Sequence, residues 1–379
     1  MKPSHDHIVF AGGGTAGHLF PGLAVAEELR LQLPHARITF AGTGKPFESG
    51  QVQRAGFDYA ALPCRPLPRN PLEAVRFVAE NLSGYYAAKR YLRDTQATLV
   101  VGLGGYASVP AARAAARLNL PYVLLEQNAV PGRATRWLAG AATAICAAMD
   151  EVRPHFRANA RVRVTGNPLR KEFVAQQAPS HYLPDRLGRG RRLVVLGGSG
   201  GSSTLNTKVP LALYKAGPAV HDWQIIHQTG PRDVTATTEL YRKLGLRATV
   251  AAFIENMPEV MRASHLAVSR AGGTTLAELA ASGLPAIVLP YPQATDDHQR
   301  KNADVYAAAG GAKTIDEREL DGRLDNHLAT AIVELATDHH RRVRMAQGMA
   351  ELARPDATRQ VVETIAALCH AGELATVEA

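Results

Sequence analysis

Cysteine is nearly absent from the 379 residues: Cys64, Cys146 and Cys369 form an odd, scattered set. They offer no disulfide framework and no Cys-X-X-Cys pair. A reducing cytosol is therefore the default setting, and a structural zinc site has no ligands. Charged residues, at 20%, are too few for a coiled coil or a disordered chain. Aromatic residues reach only 6%. The chain has no helix-turn-helix signature, zinc module or interleaved aromatic-basic strand, so nucleic acid is not an expected partner, although a basic nucleic-acid-binding protein would carry a similar charge. No long hydrophobic run is present either. The longest uncharged stretch, Thr95 to Ala112, contains Gly102, Gly104, Gly105 and Pro110 and reads as strand, loop and helix start, not as a membrane span. His5, Asp6 and His7 lead into a short apolar strand and then glycines, which is no signal peptide. Any membrane contact is expected to be peripheral.

Apolar residues make up 46%, ample for proper cores, and the length suggests two or three domains. Forty-three Lys and Arg against 34 Asp and Glu give +9, which favours phosphates, nucleic acid or an acidic membrane surface. Short β-rich runs at His7–Ala11, Arg37–Ala41, Leu99–Val101, Tyr122–Leu125 and Thr143–Cys146 alternate with helical patterns, one of them following Pro21 to about Leu33. The rhythm restarts with Arg192–Leu196, Trp223–Ile226, Thr249–Phe253, His265–Val268 and Ala286–Leu289. This predicts an α/β fold of two doubly wound Rossmann-like domains in tandem. Their boundary is expected near Gly166-Asn167-Pro168, giving domains at 1–166 and 167–354. A last helix at about 355–370 should pack back on the first. Arg186, Arg189, Arg191 and Arg192 read as a solvated basic connector.

Glycine-rich turns follow several of these strands. Gly12-Gly13-Gly14-Thr15-Ala16-Gly17 fits G-x-G-x-x-G, in which glycines admit a phosphate to backbone N–H groups and a helix dipole. A dinucleotide site also needs an acid near the end of the second strand. Here Gly42-Thr43-Gly44-Lys45 follows, with no acid before Glu48, and the loop runs straight into His18. A nicotinamide or flavin site is therefore not expected. Gly197 to Gly201 repeats the arrangement, as do Gly102–Tyr106 and Arg270 to Glu278. Glu278, more than a turn inside its helix, suits a pair of ribose hydroxyls; a solvated helical glutamate is the competing reading. Four such turns put every N–H-rich loop on a carboxyl sheet edge, which suits a substrate carrying several phosphates.

Taken together, these motifs resemble the MurG family of glycosyltransferases. The matches are Ala11 to His18 with Phe20 to Ala26, Gly102 to Tyr106, Glu126-Gln127-Asn128, Gly166 to Arg170, Gly197-Gly198-Ser199, Phe253-Ile254, Arg270 to Glu278, and Asp297-His298-Gln299 with Asn302. They run in order along nearly the whole chain. The resemblance implies a GT-B fold, two Rossmann-like domains facing across a cleft. It also implies inverting transfer of N-acetylglucosamine from UDP-N-acetylglucosamine to the lipid-linked acceptor lipid I. That reaction belongs to peptidoglycan synthesis, on which cell shape and division depend, at the cytoplasmic face of the bacterial inner membrane. The resemblance places Thr15, Ala16, Gly17, Asn128, Arg170, Ser199, Ile254, Gly273, Thr274, Thr275, Leu276, Ala277, Glu278 and Gln299 at the donor. Ile254 would meet uracil through its backbone, Glu278 the ribose and Gln299 the sugar hydroxyls. Gly14, Gly104, Gly105 and Tyr106 fall to the acceptor. Two positions depart from the pattern: Ala16 stands where glycine is frequent, and Gly200 where glutamine is. Another UDP-sugar enzyme of the same fold, a glycolipid glycosyltransferase or a UDP-N-acetylglucosamine 2-epimerase, is the alternative.

His18 is the candidate base. An imidazole titrates near working pH, and a helix N-terminus lowers its affinity for the proton, keeping the ring neutral. No Asp-x-Asp motif offers a metal site, and Asp296-Asp297 are adjacent with divergent carboxylates. The expectation is that no cofactor is required, although a divalent cation can stimulate by screening the acceptor. Between Cys64 and Arg93 lie Arg65, Arg69, Arg76, Lys89, Arg90 and Arg93 against Glu73 and Glu80. Asn70-Pro71 should open a helix there. Leu72, Val75, Ala79 and Leu82 are expected in the core, with Phe77 and the arginines outward, against an anionic membrane surface.

Overall fold

A computed structural model describes residues 6–68, 70–174, 190–320 and 322–377. The chain divides into two compact units, 1–170 with 356–379, and 171–355. Asn167, Pro168, Leu169 and Arg170 thus go with the first unit, not the second. Leu169 N–H donates to Thr358 Oγ1 at 3.2 Å, and Thr358 Oγ1 donates back to Leu169 O at 3.1 Å. Arg186 and Arg189 lie outside the described residues, whereas Arg191 is paired with Asp222 at 2.7 Å.

In the first unit β1 (His7–Ala11), β2 (Arg37–Gly42), β3 (Asp58–Ala61), β4 (Leu99–Gly102), β5 (Tyr122–Glu126), β6 (Ala144–Ala147) and β7 (Val162–Val164) form one parallel sheet in the order β3-β2-β1-β4-β5-β6-β7. Ile8, Phe10, Val101, Val123 and Leu125 fill one face, against α1 (Ala16–Gln32) and Val361, Val362 and Ile365 of the last helix, α14 (Ala357–Val377). Val9, Val100, Leu124 and Ile145 fill the other, together with residues of α3 (Ala74–Asp94) and α4 (Val109–Arg117). Strands buried on both faces read as near-continuous apolar runs, which is why these were visible in the sequence.

The first helix begins at Ala16, not after Pro21, which lies inside it. Thr15 O already accepts from His18 N at 3.2 Å and Leu19 N at 3.1 Å, so a turn forms before the proline is reached. His18 therefore sits in the first turn of a 17-residue helix.

Helix α3 reverses one expectation. Asn70 Oδ1 does accept from Glu73 N at 3.0 Å, capping the turn that starts at Pro71. Yet Leu72 is 91% and Val75 78% exposed, Val78, Ala79, Leu82 and Tyr86 are exposed too, and Phe77 is half-buried. The buried face is made by Gly84, Ala88 and Leu92. Gly84 lies against the Pro63 carbonyl, 1.8 Å from where a Cβ would stand. Helical spacing marks an apolar stripe but does not say what covers it.

In the second unit β8 (Arg192–Leu196), β9 (Gln224–Gln228), β10 (Ala248–Ala251), β11 (Leu266–Ser269), β12 (Ala286–Val288) and β13 (Ala312–Thr314) form a parallel sheet in the order β10-β9-β8-β11-β12-β13. Its core joins Leu193, Val195, Val268 and Ile287 to Leu205, Val209 and Leu213 of α7 (Ser203–Ala216) and Leu328, Ile332 and Leu335 of α12 (Leu324–Thr337).

Beneath this sheet edge lies a buried polar chain. Asn206 Nδ2 donates to Thr229 O at 3.0 Å and to Asp233 Oδ2 at 2.8 Å. Its Oδ1 must then accept the Nε2–H of His227, 3.1 Å away, leaving Nδ1 to accept from Tyr241 OH at 3.0 Å. Burial pushes the His227 imidazole down to about 3. The unfolded chain binds a proton there below pH 6.5 and the folded chain does not. Stability is thus full above that pH and falls as pH drops from 6.5 towards 3. Urea unfolding at pH 5 should show a loss of about 2 kcal/mol relative to pH 7. His227→Gln, which keeps the donor but does not titrate, should not show it.

Candidate active site

The sheet orders place all four glycine turns. In each sheet the strand order reverses at one point, between β1 and β4 in the first unit and between β8 and β11 in the second. Loops leaving the carboxyl ends of such neighbouring strands diverge and open a crevice. Gly12–Gly17 and Gly102–Tyr106 follow β1 and β4, while Gly197–Gly201 and Arg270–Gly272 follow β8 and β11. Ala11 pairs with Gly102 and Leu196 with Ser269, so the two loops of each unit leave their sheet level.

In the first unit Gly12, Gly13 and Gly14 take φ of +132°, +129° and +85°, a run that only glycine accepts readily. Gly12 fits within 3.0 Å of the Gly104 carbonyl, measured to a would-be Cβ. This brings the two loops together around His18. Thr15 Oγ1 lies 3.1 Å from His18 Nδ1 on the exposed side. The other edge of the ring faces Gly104, whose would-be Cβ stands 2.9 Å from His18 Cδ2. Gly105 flanks His18 as well, and half-buried Tyr106 follows it. The Arg170 guanidinium stacks 4.8 Å from the Phe20 ring, against the helix that carries His18. Gly14, Thr15, Ala16, Gly17, His18, Gly104, Gly105, Tyr106 and Arg170 therefore share one end of the first sheet.

Asn128 is fixed by the buried Glu126 carboxylate. Its backbone N–H and its Nδ2 both donate to Glu126 Oε1 at 3.1 Å, and Gly132 N–H donates to Oε2 at 3.0 Å. Burial raises the Glu126 carboxyl above the usual carboxylate range, against these donors. Glu48 also gains a meaning. Fully buried, it accepts from Thr43 N at 2.8 Å, Thr43 Oγ1 at 2.6 Å and Tyr59 OH at 2.7 Å. The acid near the end of β2 is thus spent on its own turn, in keeping with the absence of a dinucleotide fingerprint.

In the second unit the loops are pinned by side chains that sequence reasoning did not single out. Gln228 Nε2 donates to Gly198 O at 3.2 Å, and Ile254 N–H donates to Gln228 Oε1 at 2.9 Å. A pyrimidine meeting the Ile254 N–H must displace that amide. Arg270, buried, donates to Ser202 Oγ at 3.0 Å, Leu289 O at 3.2 Å, Pro290 O at 3.3 Å and Glu317 Oε1 at 2.8 Å, tying three loops. Nothing in the sequence marks Gln228, because a polar residue ending a strand has many uses.

Helix α10 (Gly273–Ala281) begins where the resemblance puts the phosphate turn. Glu278 is only 9% exposed, which removes the reading as a solvated helical glutamate. Thr274 is buried and Thr275 and Ala277 are half-buried. The side chain of Leu276 is wholly in the core, so its only route to a ligand is the backbone. Ser199 is half-buried in its loop. Asp297, at φ +54°, pairs with Arg318 at 3.3 Å.

One face of α11 (His298–Ala308) captures both backbone polar groups of Ala271. Gln299 Oε1 accepts from Ala271 N at 3.2 Å and from Tyr291 N at 2.9 Å, and Asn302 Nδ2 donates to Ala271 O at 3.0 Å. With its oxygen so occupied, Gln299 offers a sugar only its Nε2 donor. Gln299→Glu keeps both acceptor bonds but replaces that donor. It should leave stability within about 1 kcal/mol and UDP affinity intact while raising KM for the sugar nucleotide. Parallel UDP titration and initial-rate measurements separate the two.

The glycosyltransferase family 28 N-terminal domain matches residues 8–147 and the family 28 C-terminal domain residues 192–361. The chain belongs to glycosyltransferase family 28. Among its family 28 relatives, the UDP-N-acetylglucosamine--N-acetylmuramyl-(pentapeptide) pyrophosphoryl-undecaprenol N-acetylglucosamine transferase of Geobacter sulfurreducens is 38% identical, over 95% of this chain and 98% of that protein. The protein of the same name from Pseudomonas savastanoi is 35% identical over 96% and 99%. The crystal structure of Acinetobacter baumannii MurG superposes with a TM-score of 0.74 at 29% identity, covering 95% and 99%. A UDP-N-acetylglucosamine 2-epimerase structure superposes at 0.67 with 15% identity over 98% and 97%, a likeness of fold alone. The fold is the GT-B type with two Rossmann-like domains.

Proposed function

We infer that this chain transfers N-acetylglucosamine from UDP-N-acetylglucosamine to the muramoyl 4-hydroxyl of undecaprenyl-diphospho-muramoylpentapeptide, giving lipid II and UDP, in peptidoglycan synthesis. The observation that carries this reading is the end-to-end match to transferases of that name, joined to paired glycine loops at both strand-order reversals. Incubation with labelled UDP-N-acetylglucosamine and the lipid-linked acceptor should yield a labelled lipid. A converted sugar nucleotide formed without acceptor would mark an epimerase instead.

Two charges move in this reaction. The acceptor hydroxyl loses a proton as its oxygen bonds to the anomeric carbon, and the bond to UDP breaks with its electron pair. His18 takes the proton. The amides at the start of α10 and the Ser199 hydroxyl hold the diphosphate as its charge grows, and Glu278 holds the ribose. No resident metal is needed for these roles. Displacement by a single incoming hydroxyl inverts the anomeric centre.

The enzyme works at the cytoplasmic face of the bacterial inner membrane, held peripherally. Among the described residues no helix is long and apolar enough to cross a membrane. The exposed Leu67, Leu72, Val75, Val78, Leu82 and Tyr86 form the contact, with exposed Arg76 and Arg90 for anionic headgroups. Arg65 is not among them, because Glu80 neutralises it at 2.9 Å. Arg69 lies outside the described residues. Leu72→Glu with Val75→Glu should remove most sedimentation with anionic vesicles while leaving UDP binding unchanged.

A further inference from the structure

Gln127 stands next to Glu126 at the end of β5 and is 3% exposed. Its Nε2 donates to the Leu103 carbonyl at 3.2 Å, which fixes the amide's orientation. The other end, Oε1, is buried and accepts no hydrogen bond. Such an acceptor is costly to keep and calls for a partner. It faces Gly104: the point where a Gly104 Cβ would stand lies 3.4 Å from Gln127 Oε1 and 3.3 Å from His18 Nε2. The opposite edge of the ring, Nδ1, is the one beside Thr15 on the exposed side. Both groups border the space that a side chain at position 104 would fill, and the φ of +95° there suits glycine.

Resting on the reading of His18 as base, we propose that Gln127 is a positioning residue whose amide oxygen accepts the Nε2–H of His18, directly after a small ring rotation or through one water. A neutral imidazole donates at one nitrogen and accepts at the other. An amide oxygen accepts only, so it selects the tautomer with hydrogen on Nε2 and the lone pair on Nδ1. The acceptor hydroxyl displaces Thr15 Oγ1 and gives its proton to Nδ1 as its oxygen bonds to the anomeric carbon and UDP departs. Both ring nitrogens then carry hydrogen, and the bond to Gln127 strengthens as the ring becomes a cation. The proton leaves Nδ1 to solvent afterwards. A neutral amide steadies the tautomer without the large rise in basicity that a carboxylate would cause.

The test uses the full chain. Nitrogen-15 histidine spectra, with the His18 signal assigned by its loss in His18→Ala, should show hydrogen on Nε2. Gln127→Met should turn this into a tautomer mixture. It should also lower kcat by about 10- to 100-fold, as loss of a partner orienting a functional histidine does elsewhere, with KM for the donor unchanged. Gln127→Glu, which retains an acceptor oxygen, should restore the tautomer and most of the turnover. A purely structural role of Gln127 predicts a raised KM and an unchanged tautomer in Gln127→Met, and that result overturns the proposal. If His18→Ala abolishes turnover while Gln127→Met behaves as the parent, the positioning role falls and the base reading stands. If His18→Ala retains turnover, both fall.

Discussion

His18→Ala lowers turnover by about 10²–10⁴-fold, the range for loss of one proton-transfer group, while UDP binds almost as before. The split follows from placement. His18 lies in the first turn of α1 with its exposed edge at Thr15, whereas most of the positions the resemblance assigns to the nucleotide, Ser199, Ile254 and Gly273 to Glu278, belong to the second unit. Alanine is a good helix former, so α1 survives the change. The acceptor hydroxyl then has only water to take its proton. Calorimetric titration of UDP beside single-turnover rates measures both quantities. A mutant that turns over normally would remove the base, and one that loses UDP binding would assign His18 to the donor instead. The pH dependence adds a check, since the acidic limb of kcat/KM in the parent reports the free enzyme's base and should disappear with the imidazole.

The architecture was legible because its signal is redundant. Arg192–Leu196 and the glycines after it read as strand, turn and helix, and that is where β8, Gly197–Gly201 and α7 lie. Buried parallel strands are apolar on both faces and announce themselves. The short strands β3, β7 and β13 carry Asp58, Arg163 and Lys313 and offered no such run. Helix α3 shows the limit in the other direction. Its i, i+3, i+7 stripe was real, but periodicity encodes only that a face is apolar, and the face at Leu72 and Val75 is bare of protein. Among the site residues, Glu278 and the glycines were visible because their chemistry constrains position. The sequence names Gln127 and Glu48 but not what they or Gln228 touch, because those contacts depend on which backbone groups the fold brings beside them.

Two neighbouring glycines of the second unit should answer substitution in opposite ways. Gly201 has φ +77°, and a Cβ on it would stand 1.9 Å from the Thr229 carbonyl oxygen. That oxygen cannot retreat cheaply, because Asn206 Nδ2 binds it at 3.0 Å and the same asparagine anchors His227. Gly230 closes the contact from the other side, its would-be Cβ 2.6 Å from Gly201 N. Gly201→Ala therefore combines left-handed strain of about 1–2 kcal/mol with a backbone collision. A total loss of about 4 kcal/mol or more is expected, read from the urea midpoint. Gly200 differs in both respects. Its backbone is outside the left-handed region and no atom lies within 4 Å of its would-be Cβ. Gly200→Gln, which installs the residue frequent in the family, should change stability by no more than about 0.5 kcal/mol. If that glutamine reaches the donor, KM for UDP-N-acetylglucosamine falls. A stable Gly201→Ala protein would show that the two loops do not pack backbone to backbone, and with that the glycine turn after β8 would lose its support.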